Sequence, residues 1–399
     1  MKFYSRVRVA LRFTLFFLFS GLLVVLSNQG CSQNQTATNT PTTQFELLPP
    51  AEFEFEPSVS SADETLIFDG KSLTGGWTTA TDPDVFKIGD TWFMLFTSIK
   101  DWPIKLYIVL AKLPSGNTLD STADKWTILT EVLSPSIDSN AWDARAVETP
   151  KYVKGYDHSQ GKWVDRIYYT GWREDSAIRN YQIGYAEYDG SIYVKHPTPV
   201  LSAAKSWEYF NGKSFLGDQT VYFDVSDSSS GPEGTWHMFY QVTSSELADT
   251  VLVHATSADG TIWPEANRSI VSAVSSFHSS KPSPGPFHVD VFRHANKNYL
   301  VGWSPATSKL SKQGIWALRF TQNGNGSVTS DNFWTFLLGE NNGTSWHDSG
   351  LETSLTHETG LFGSTLVEEN GKLWLFYHGV SKRNGENVGS IGKALLQQL

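Results

Sequence analysis

Acidic and histidine side chains recur at the start of a repeated sequence pattern, and their types suit acid–base chemistry. Asp82, Glu148, Asp218 and His288 each precede a short apolar segment, a turn and a second apolar segment. If the repeats surround one axis, these side chains meet at one cavity. Like charges confined together push at least one pKa upward, which leaves a protonated acid beside an ionised base. Hydrolysis of a glycosidic bond needs such a pair of carboxyl groups.

The repeated pattern has a regular spacing. Its five copies begin at positions 82, 148, 218, 288 and 364, so that successive copies lie 66, 70, 70 and 76 residues apart. In the first copy, Asp82-Pro-Asp-Val-Phe leads through Gly89-Asp90 to Thr91-Trp-Phe-Met-Leu-Phe. A period of this regularity indicates stacked copies of one supersecondary unit.

Short apolar or alternating runs separated by Gly, Asn, Asp, Ser and Pro dominate the chain, which is typical of β-strands and turns. Each copy is predicted to hold four strands. The third strands are predicted at Lys105–Leu113, Gln182–Tyr188, Val251–Ser257, Gly314–Thr321 and Asn387–Leu395. Four-stranded units around an axis form a β-propeller, so we predict an all-β, five-bladed β-propeller with four antiparallel strands per blade over residues 64–399. Glu64–Phe68 is predicted to join the last blade and close the ring.

The motifs resemble those of glycoside hydrolase family 43 and its clan, which includes families 32, 62, 68 and 117. The similar segments are Asp82-Pro-Asp-Val-Phe, Glu148-Thr-Pro with Tyr168-Tyr-Thr-Gly-Trp172, Ile183-Gly-Tyr-Ala-Glu-Tyr-Asp-Gly190 and His254-Ala-Thr-Ser-Ala-Asp-Gly260-Thr-Ile-Trp263. The resemblance covers about residues 82 to 379. It implies a five-bladed propeller and inverting hydrolysis of arabinosyl, xylosyl or galactosyl linkages in plant- or algal-type saccharides.

The resemblance also implies roles for the acidic residues. Asp82 matches the general base of blade one, Glu148 matches the Glu-x-Pro motif of the general acid, and Asp218 corresponds to the aspartate that orients the acid and tunes its pKa. The order differs from family 43, whose blades one to three carry Asp, Asp and Glu. His288 on blade four is similar to an acid histidine of family 117. An anhydrosugar hydrolase that uses His288 therefore remains an alternative, as does a non-catalytic carbohydrate-binding propeller.

Further side chains near the predicted mouth are candidates for binding the sugar. We call Asp82, Glu148, Asp218 and His288, which begin the repeats, the head residues. Strand alternation places Asp84 and Asp290 on the same side of the strand as the head residues, so one of them is an alternative base. The substrate-binding candidates are His288, Arg145, Asp84, Asp290, Trp142 and His357. The sequence has no zinc-binding Cys/His spacing, phosphate loop or nucleophile elbow. We expect no cofactor, and leave open a structural calcium ion in the central channel.

The N-terminus predicts export. Arg6, Arg8 and Arg12 precede the apolar run from Phe13 to Leu26, a pattern typical of a secretory signal within residues 1–30. Cys31, the only cysteine, resembles the acylated cysteine of a bacterial lipoprotein, and the polar residues 31–63 then form a disordered tether. The alternative is a secreted protein with an incidental cysteine.

Charge narrows the range of partners. The formal net charge of −10 disfavours nucleic acid and anionic membrane surfaces, because both repel an acidic protein. We therefore expect a monomer that binds a carbohydrate substrate and contacts a membrane only through its N-terminal lipid anchor.

Overall fold

A computed structural model describes residues 64–396, apart from 101–103, 122–124, 174–178, 226–233, 248, 274–286, 295–296, 305–313, 324–325, 340–359 and 384–385. The predicted signal, Cys31 and tether lie outside the described residues, as does His357. The described residues form strands, with single 3-10 turns at Thr74–Gly76, Ser206–Glu208 and Glu265–Asn267. None of the helices in this part of the chain has the length and apolar character to cross a membrane.

The strands form five four-stranded units. After β1 (Glu64–Phe68), the first unit is β2 (Thr81–Ile88), β3 (Thr91–Ile99), β4 (Leu106–Leu113) and β5 (Thr127–Leu133), and the second is β6 (Ala146–Asp157), β7 (Lys162–Trp172), β8 (Gln182–Tyr188) and β9 (Tyr193–Lys195). A small hairpin of β10 (Tyr209–Phe210) and β11 (Lys213–Ser214) precedes the third unit, which is β12 (Leu216–Val225), β13 (Gly234–Ser244), β14 (Asp249–Ser257) and β15 (Arg268–Ala273). The fourth unit is β16 (Phe287–His294), β17 (Lys297–Ser304), β18 (Gly314–Gln322) and β19 (Val328–Gly339). The fifth is β20 (Gly360–Glu369), β21 (Lys372–Arg383) and β22 (Glu386–Leu396), completed by β1.

These elements confirm the predicted all-β class and the third strands, whose ends differ from the prediction by at most two residues. The prediction that Glu64–Phe68 joins the last unit is also confirmed, because β1 pairs antiparallel with β22 from Glu64 opposite Ala394 to Phe68 opposite Ile391. The first and second units are joined by a parallel bridge between Leu106 and Ala146.

The inner hairpin of each unit follows from local sequence. In the first unit, Ile88 pairs with Thr91 across Gly89-Asp90, and Gly89 has φ 59, a conformation that glycine adopts without steric cost. Met94, Leu95 and Phe96 follow one another on β3 and are all fully buried. Because successive side chains point to opposite faces of a sheet, both faces of this strand are covered.

The apolar core lies between the units. Leu95 and Tyr169 belong to a cluster between the first and second units, and Phe96 and Phe376 to one between the fifth and first. Three further clusters lie between the second and third, third and fourth, and fourth and fifth units. Each unit therefore buries its two faces against two neighbours, as in sheet-on-sheet packing.

The first strands of the five units contact one another in a cycle. β2 contacts β6, β6 contacts β12, β12 contacts β16, β16 contacts β20, and β20 contacts β2. Each first strand begins at the same end of its unit, so the residues at their starts converge on one place. This arrangement positions the site.

Candidate active site

Each first strand has a β-bulge near its start, and the bulges carry most of the head residues. The pairing with the second strand is regular up to Thr81, Glu148, Gly217, Phe287 and Leu361, and resumes three residues later. The next residue has positive φ in four units: Asp82 (52°), Thr149 (50°), Asp218 (50°) and His288 (47°). This left-handed conformation costs about 1–2 kcal/mol for a residue with a Cβ, and such strain concentrates at functional sites.

The bulges correct the alignment of the second and fifth repeats. Thr149, not Glu148, is the equivalent of Asp82, because Glu148 still pairs in register with Thr170 of β7. In the fifth unit the equivalent residue is Phe362 rather than Ser364. The predicted equivalence of Glu148 with the other heads is therefore wrong by one residue. The proline at positions 83 and 150 was the signal for the correct alignment, since it follows Asp82 in one repeat and Thr149 in the other.

Asp82, Asp218 and His288 form one charged cluster. The ring of His288 lies between the two carboxylates, with Nδ1 3.5 Å from Asp82 Oδ1 and Nε2 3.4 Å from Asp218 Oδ2. His378, from β21, lies 3.2 Å from the same oxygen of Asp82 through its Nδ1. The structure thus brings together head residues from the first, third and fourth units, and adds His378 from the fifth unit.

The histidines keep Asp82 ionised. Burial alone would raise the pKa of Asp82, but the hydrogen bond from His378 and the charge of His288 outweigh burial and lower this pKa to about 2. Burial alone would lower the pKa of His288, but the negative charges of Asp218 and Asp82 outweigh it and raise that pKa. Asp82 is therefore a carboxylate at any ordinary pH, and an imidazolium beside it is favoured.

The pKa values of Glu148 and Asp218 are raised rather than lowered. Burial raises the pKa of Glu148 to about 7, assisted by the negative charges of Asp82 and Asp218 and opposed by Arg179 and a hydrogen bond from Trp172. The Trp172 Nε1–H donates to Glu148 Oε1 over 2.8 Å. Burial also raises the pKa of Asp218 to about 6, although His288 opposes this rise. Glu148 is thus partly protonated at neutral pH, in the electrostatic field of an ionised Asp82.

Hydroxyl and amide side chains hold the bulges in place. The backbone N–H of Thr149 donates to Thr97 Oγ1 over 2.9 Å, and that of Asp218 donates to Thr170 Oγ1 over 3.1 Å. The Gln219 side chain donates to the Thr149 carbonyl over 2.7 Å. Each of these bonds connects a strained residue to a neighbouring unit, so the backbone of one head is fixed by the strands beside it.

Gly363 closes the cluster from the fifth unit. A Cβ at this position would lie 3.3 Å from Asp82 Oδ1 and 3.4 Å from His288 Nδ1, closer than most real contacts of a Cβ atom. The fifth unit therefore presents bare backbone to the two charged side chains. An alanine there would require Asp82 or His288 to move by a few tenths of an ångström.

A second polar layer lies two residues further along the first strands. Lys151 Nζ lies 2.8 Å from Asp84 Oδ1 and 2.6 Å from Asp290 Oδ1. Both aspartates line the same cavity as Asp82 and His288, as strand alternation predicted. Both carboxylates share the ammonium group of Lys151, whereas Asp82 lies beside Asp218 and His288 at the strand starts and remains the candidate base. The space between these side chains, counted with the open solvent at its mouth, is about 340 Å³.

Two other candidates belong to the segment that leads into β6. Arg145 is half-buried immediately before this strand, and its backbone N–H donates to the Trp172 carbonyl over 3.1 Å. Trp142 is half-buried and stacks on Tyr169, with ring centroids 5.5 Å apart and an angle of 15°. One face of its indole is therefore occupied by packing. Sugar binding by Arg145 and Trp142 stays a prediction.

The central channel does not fit a calcium ion. Calcium takes six to eight oxygen ligands, and an ammonium group lies between the two carboxylates that would supply them. Among the described residues, no group of three or more His, Cys, Asp and Glu side chains is arranged to hold a metal ion.

Sequence reasoning did not identify His378, Lys151, Arg179 or Gly363. His378 lies 296 residues from Asp82 along the sequence, and Lys151 contacts Asp290 across 139 residues. The signal for Lys151 was its place two residues after the corrected head, where the other repeats carry Asp84, Thr220, Asp290 and Ser364.

Comparison with known proteins identifies the fold. No family model matches the chain, and no curated protein matches it in sequence. Among solved structures, a complex of BT0996 with RGII has a TM-score of 0.57 at 16% identity, covering 85% of this protein and 92% of that one. The catalytic domain of a Coprinopsis cinerea GH62 α-L-arabinofuranosidase has a TM-score of 0.50 at 13% identity, with coverages of 86% and 97%. A GH62 hydrolase in complex with xylotriose has a TM-score of 0.52 at 10% identity, with coverages of 86% and 99%.

These similarities show that the chain has the fold of propeller glycoside hydrolases. The resemblance that the motifs predicted is therefore confirmed for the fold. At such low identity the shared fold does not carry over the residues of the site, whose roles rest on the geometry described above.

Proposed function

We propose that this chain is a five-bladed β-propeller glycoside hydrolase that cleaves O-glycosidic bonds by an inverting acid–base mechanism. The five four-stranded units are its blades, and the cycle of contacts between the first strands supports this count. The similar structures include an α-L-arabinofuranosidase and a hydrolase bound to xylotriose, which supports a substrate of the arabinosyl, xylosyl or galactosyl class. The enzyme acts as a monomer on saccharides of plant or algal type.

One observation carries the proposed chemistry: two carboxyl groups in one electrostatic cluster have pKa values displaced in opposite directions. Asp82, with its pKa lowered to about 2, is the general base that activates water, and Glu148, with its pKa raised to about 7, is the general acid that protonates the leaving oxygen. Burial is the main cause of the raised pKa of Glu148, and the negative charges of Asp82 and Asp218 add to it by repulsion. Inversion further requires the carboxyl groups of base and acid to lie about 6.5–9.5 Å apart, leaving room for the water.

A second assignment of the acid is favoured by the position of His288. Its ring lies between Asp82 and Asp218, and their charges raise its pKa, which favours the imidazolium form that a general acid requires. In this alternative the enzyme resembles an anhydrosugar hydrolase of family 117. Asp82 remains the base in both assignments.

The test is a screen of the full chain on chromogenic arabinofuranosides, xylosides, galactosides and fructosides, with anhydrogalactoside-containing oligosaccharides beside them. We expect turnover of at least one class, a loss of about 10²–10⁴-fold in Asp82→Asn, and initial release of the inverted anomer by proton NMR. Inactivity on every class would contradict hydrolysis. Release of the retained anomer would contradict the inverting mechanism but not the hydrolase activity.

We further propose that the enzyme is exported and anchored through Cys31. The Arg-flanked apolar run and the lone cysteine support this proposal. Radiolabelled palmitate should be incorporated by the wild type and not by Cys31→Ala. Release of both proteins into the medium to the same extent would remove the anchor and leave secretion.

A further inference from the structure

Lys151 lies at the centre of a polar cluster that involves the first strands of all five units. Its ammonium group bridges Asp84 of β2 and Asp290 of β16, at 2.8 Å and 2.6 Å. Thr220 Oγ1 of β12 donates to Asp290 Oδ1 over 3.0 Å, and Thr365 Oγ1 of β20 donates to Asp290 Oδ2 over 2.5 Å. Lys151 itself belongs to β6. A single ion cluster thus connects five strands that are separate in sequence.

Backbone groups complete the cluster. The N–H of Tyr152 donates to Asp84 Oδ2 over 2.7 Å, and the N–H of Val291 donates to Asp290 Oδ1 over 2.8 Å. The side chains of Asp84, Asp290 and Lys151 are only 4%, 9% and 17% exposed. Burying two carboxylates is costly unless a cation and hydrogen bonds compensate them, so the ammonium group between them compensates much of this cost.

The cluster is coupled to the candidate catalytic residues through the backbone. Asp84, Lys151, Thr220 and Asp290 each come two residues after a bulge residue, which is Asp82, Thr149, Asp218 or His288 in turn. Short segments of strained backbone therefore join the two layers. Any separation of the first strands at the lysine layer would move Asp82, Asp218 and His288 apart.

We propose that Lys151 is a positioning residue whose ammonium group is the built-in cation of the central channel. It holds the first strands together and fixes the distances between the head residues, and it takes the place that a divalent metal would otherwise fill.

The effect of Lys151 on catalysis rests on the proposed hydrolase function, whereas its effect on stability and on the response to metal does not. The oxygens of Asp84 and Asp290 around Nζ, with the Thr220 hydroxyl that bonds Asp290, form a latent cation site in variants with a shorter side chain. Ser364 Oγ, buried in the same cavity without a hydrogen-bond partner among the described residues, is a further ligand for it.

The first measurement is the thermal unfolding of the wild type after dialysis against EDTA and after addition of calcium chloride. We expect no change in Tm, because the channel already contains its cation. A Tm that falls in EDTA and recovers with calcium would overturn the proposal without any variant.

Two substitutions of Lys151 then distinguish the loss of its charge from the loss of its volume, and a third keeps the charge. Lys151→Met removes the charge and leaves the bulk, so we expect Tm to fall by about 10 °C regardless of calcium. Lys151→Ser removes both, so we expect a similar fall in EDTA and recovery of at least half of it in millimolar calcium. Lys151→Arg keeps the charge and should unfold nearest to the wild type.

Matched variants test whether the calcium response belongs to this cluster. Lys195→Ser is the control, because Lys195 Nζ bonds the carboxylate of Asp143, at 2.7 Å, outside the central channel. It should lower Tm without recovery in calcium. Adding Asp290→Asn to Lys151→Ser should abolish the recovery. A Lys151→Ser protein that does not respond to calcium, or a Lys195→Ser protein that responds equally, would contradict the latent site.

The positioning role has its own readout. On the substrate found in the screen, Lys151→Met should lose at least tenfold in kcat with a small change in KM, and calcium should restore kcat together with Tm in Lys151→Ser. Full kcat in Lys151→Met would overturn the positioning role. If the screen finds no substrate, the Tm measurements decide the proposal alone, so its failure and that of the proposed function are distinguishable.

Discussion

At the scale of single residues, the neighbours of Asp82 and Glu148 move the two pKa values apart. Asp82 accepts a hydrogen bond from His378 and lies beside His288, whereas Glu148 is bonded to a neutral indole N–H and lies near two carboxylates. The same amount of burial therefore has opposite outcomes for the two groups. A base that stays ionised and an acid that stays protonated coexist over a wide range of pH.

These pKa values predict the pH dependence of the reaction. Because Asp82 has its pKa at about 2 and Glu148 at about 7, kcat/KM should show no acidic limb above about pH 4 and should fall above about pH 7 as Glu148 ionises. Glu148→Gln should abolish the basic limb. It should also reduce turnover of natural saccharides far more than that of aryl glycosides with good leaving groups. If Glu148→Gln retains full activity on a natural saccharide, the acid is elsewhere and His288 is the next candidate.

The same pKa has a consequence for stability. The pKa of Glu148 is raised from 4.5 to about 7 in the folded protein, so the folded state binds more protons than the unfolded state between these values. Stability contributed by this group is therefore present below about pH 4.5 and is lost as the pH rises to about 7. Glu148→Gln should consequently unfold about 2–5 °C above the wild type at pH 8 and close to it at pH 4, as measured by thermal denaturation.

At the scale of elements, the regular pairing between the first and second strands of each unit is interrupted near the start of the first strand. Four bulges place residues with a Cβ at positive φ, and two of these residues, Thr149 and Asp218, donate backbone hydrogen bonds to the hydroxyl groups of Thr97 and Thr170. The strand that follows each bulge returns to regular pairing. The strain is therefore confined to residues that the neighbouring units support.

Gly363 offers a test at this scale. Gly363→Ala should lower kcat by about tenfold or more, because the added Cβ meets Asp82 Oδ1 and His288 Nδ1, while Tm changes little. Gly371→Ala is the matched control from the hairpin of the same unit. Its Cβ would meet open space but its φ is 71°, so this variant should lower Tm and leave kcat unchanged. Equal kcat values for the two variants would argue against a close fit at position 363.

The elements also mark where prediction from sequence succeeds and where it ends. The third strands were predicted to within two residues because alternation and turn residues are local signals. The offset of Glu148 was missed because a bulge shifts the register without altering the apolar pattern around it. His378 was missed because its partner comes from a distant strand and nothing local indicates that the two meet. Lys151 was missed because the same one-residue offset concealed its equivalence to Asp84 and Asp290.

At the scale of the whole molecule, stability depends on the interfaces between units, including the one that β1 completes. Ile67 and Phe68 of β1 are buried, and Phe68 lies against Phe96 of the first unit with ring centroids 5.2 Å apart. β1 thus belongs to the sheet of the fifth unit while its side chains pack against the first. It joins the two ends of the cycle.

Removing one side chain from this junction tests that role. Phe68→Ala should destabilise the protein by about 3 kcal/mol in urea unfolding, because a buried aromatic ring is lost at an interface between two units. Ile137→Ala is a suitable control, since Ile137 is fully exposed, and it should change the unfolding free energy by less than about 0.5 kcal/mol. A Phe68→Ala protein as stable as this control would show that the junction does not depend on β1.

The pairing of β1 with β22 also determines when the molecule can finish folding. Glu64 lies opposite Ala394, so the first described strand finds its partner only after the other four units have been made. Contacts between residues so distant in sequence form late and slowly, because the entropy of closing the intervening loop is lost before the contact is gained. During synthesis β1 therefore stays unpaired until β22 has been made. The pairing of β1 with β22 completes the fifth unit, and a polypeptide that lacks β22 leaves the edges of β1 and β21 open to pairing with other molecules.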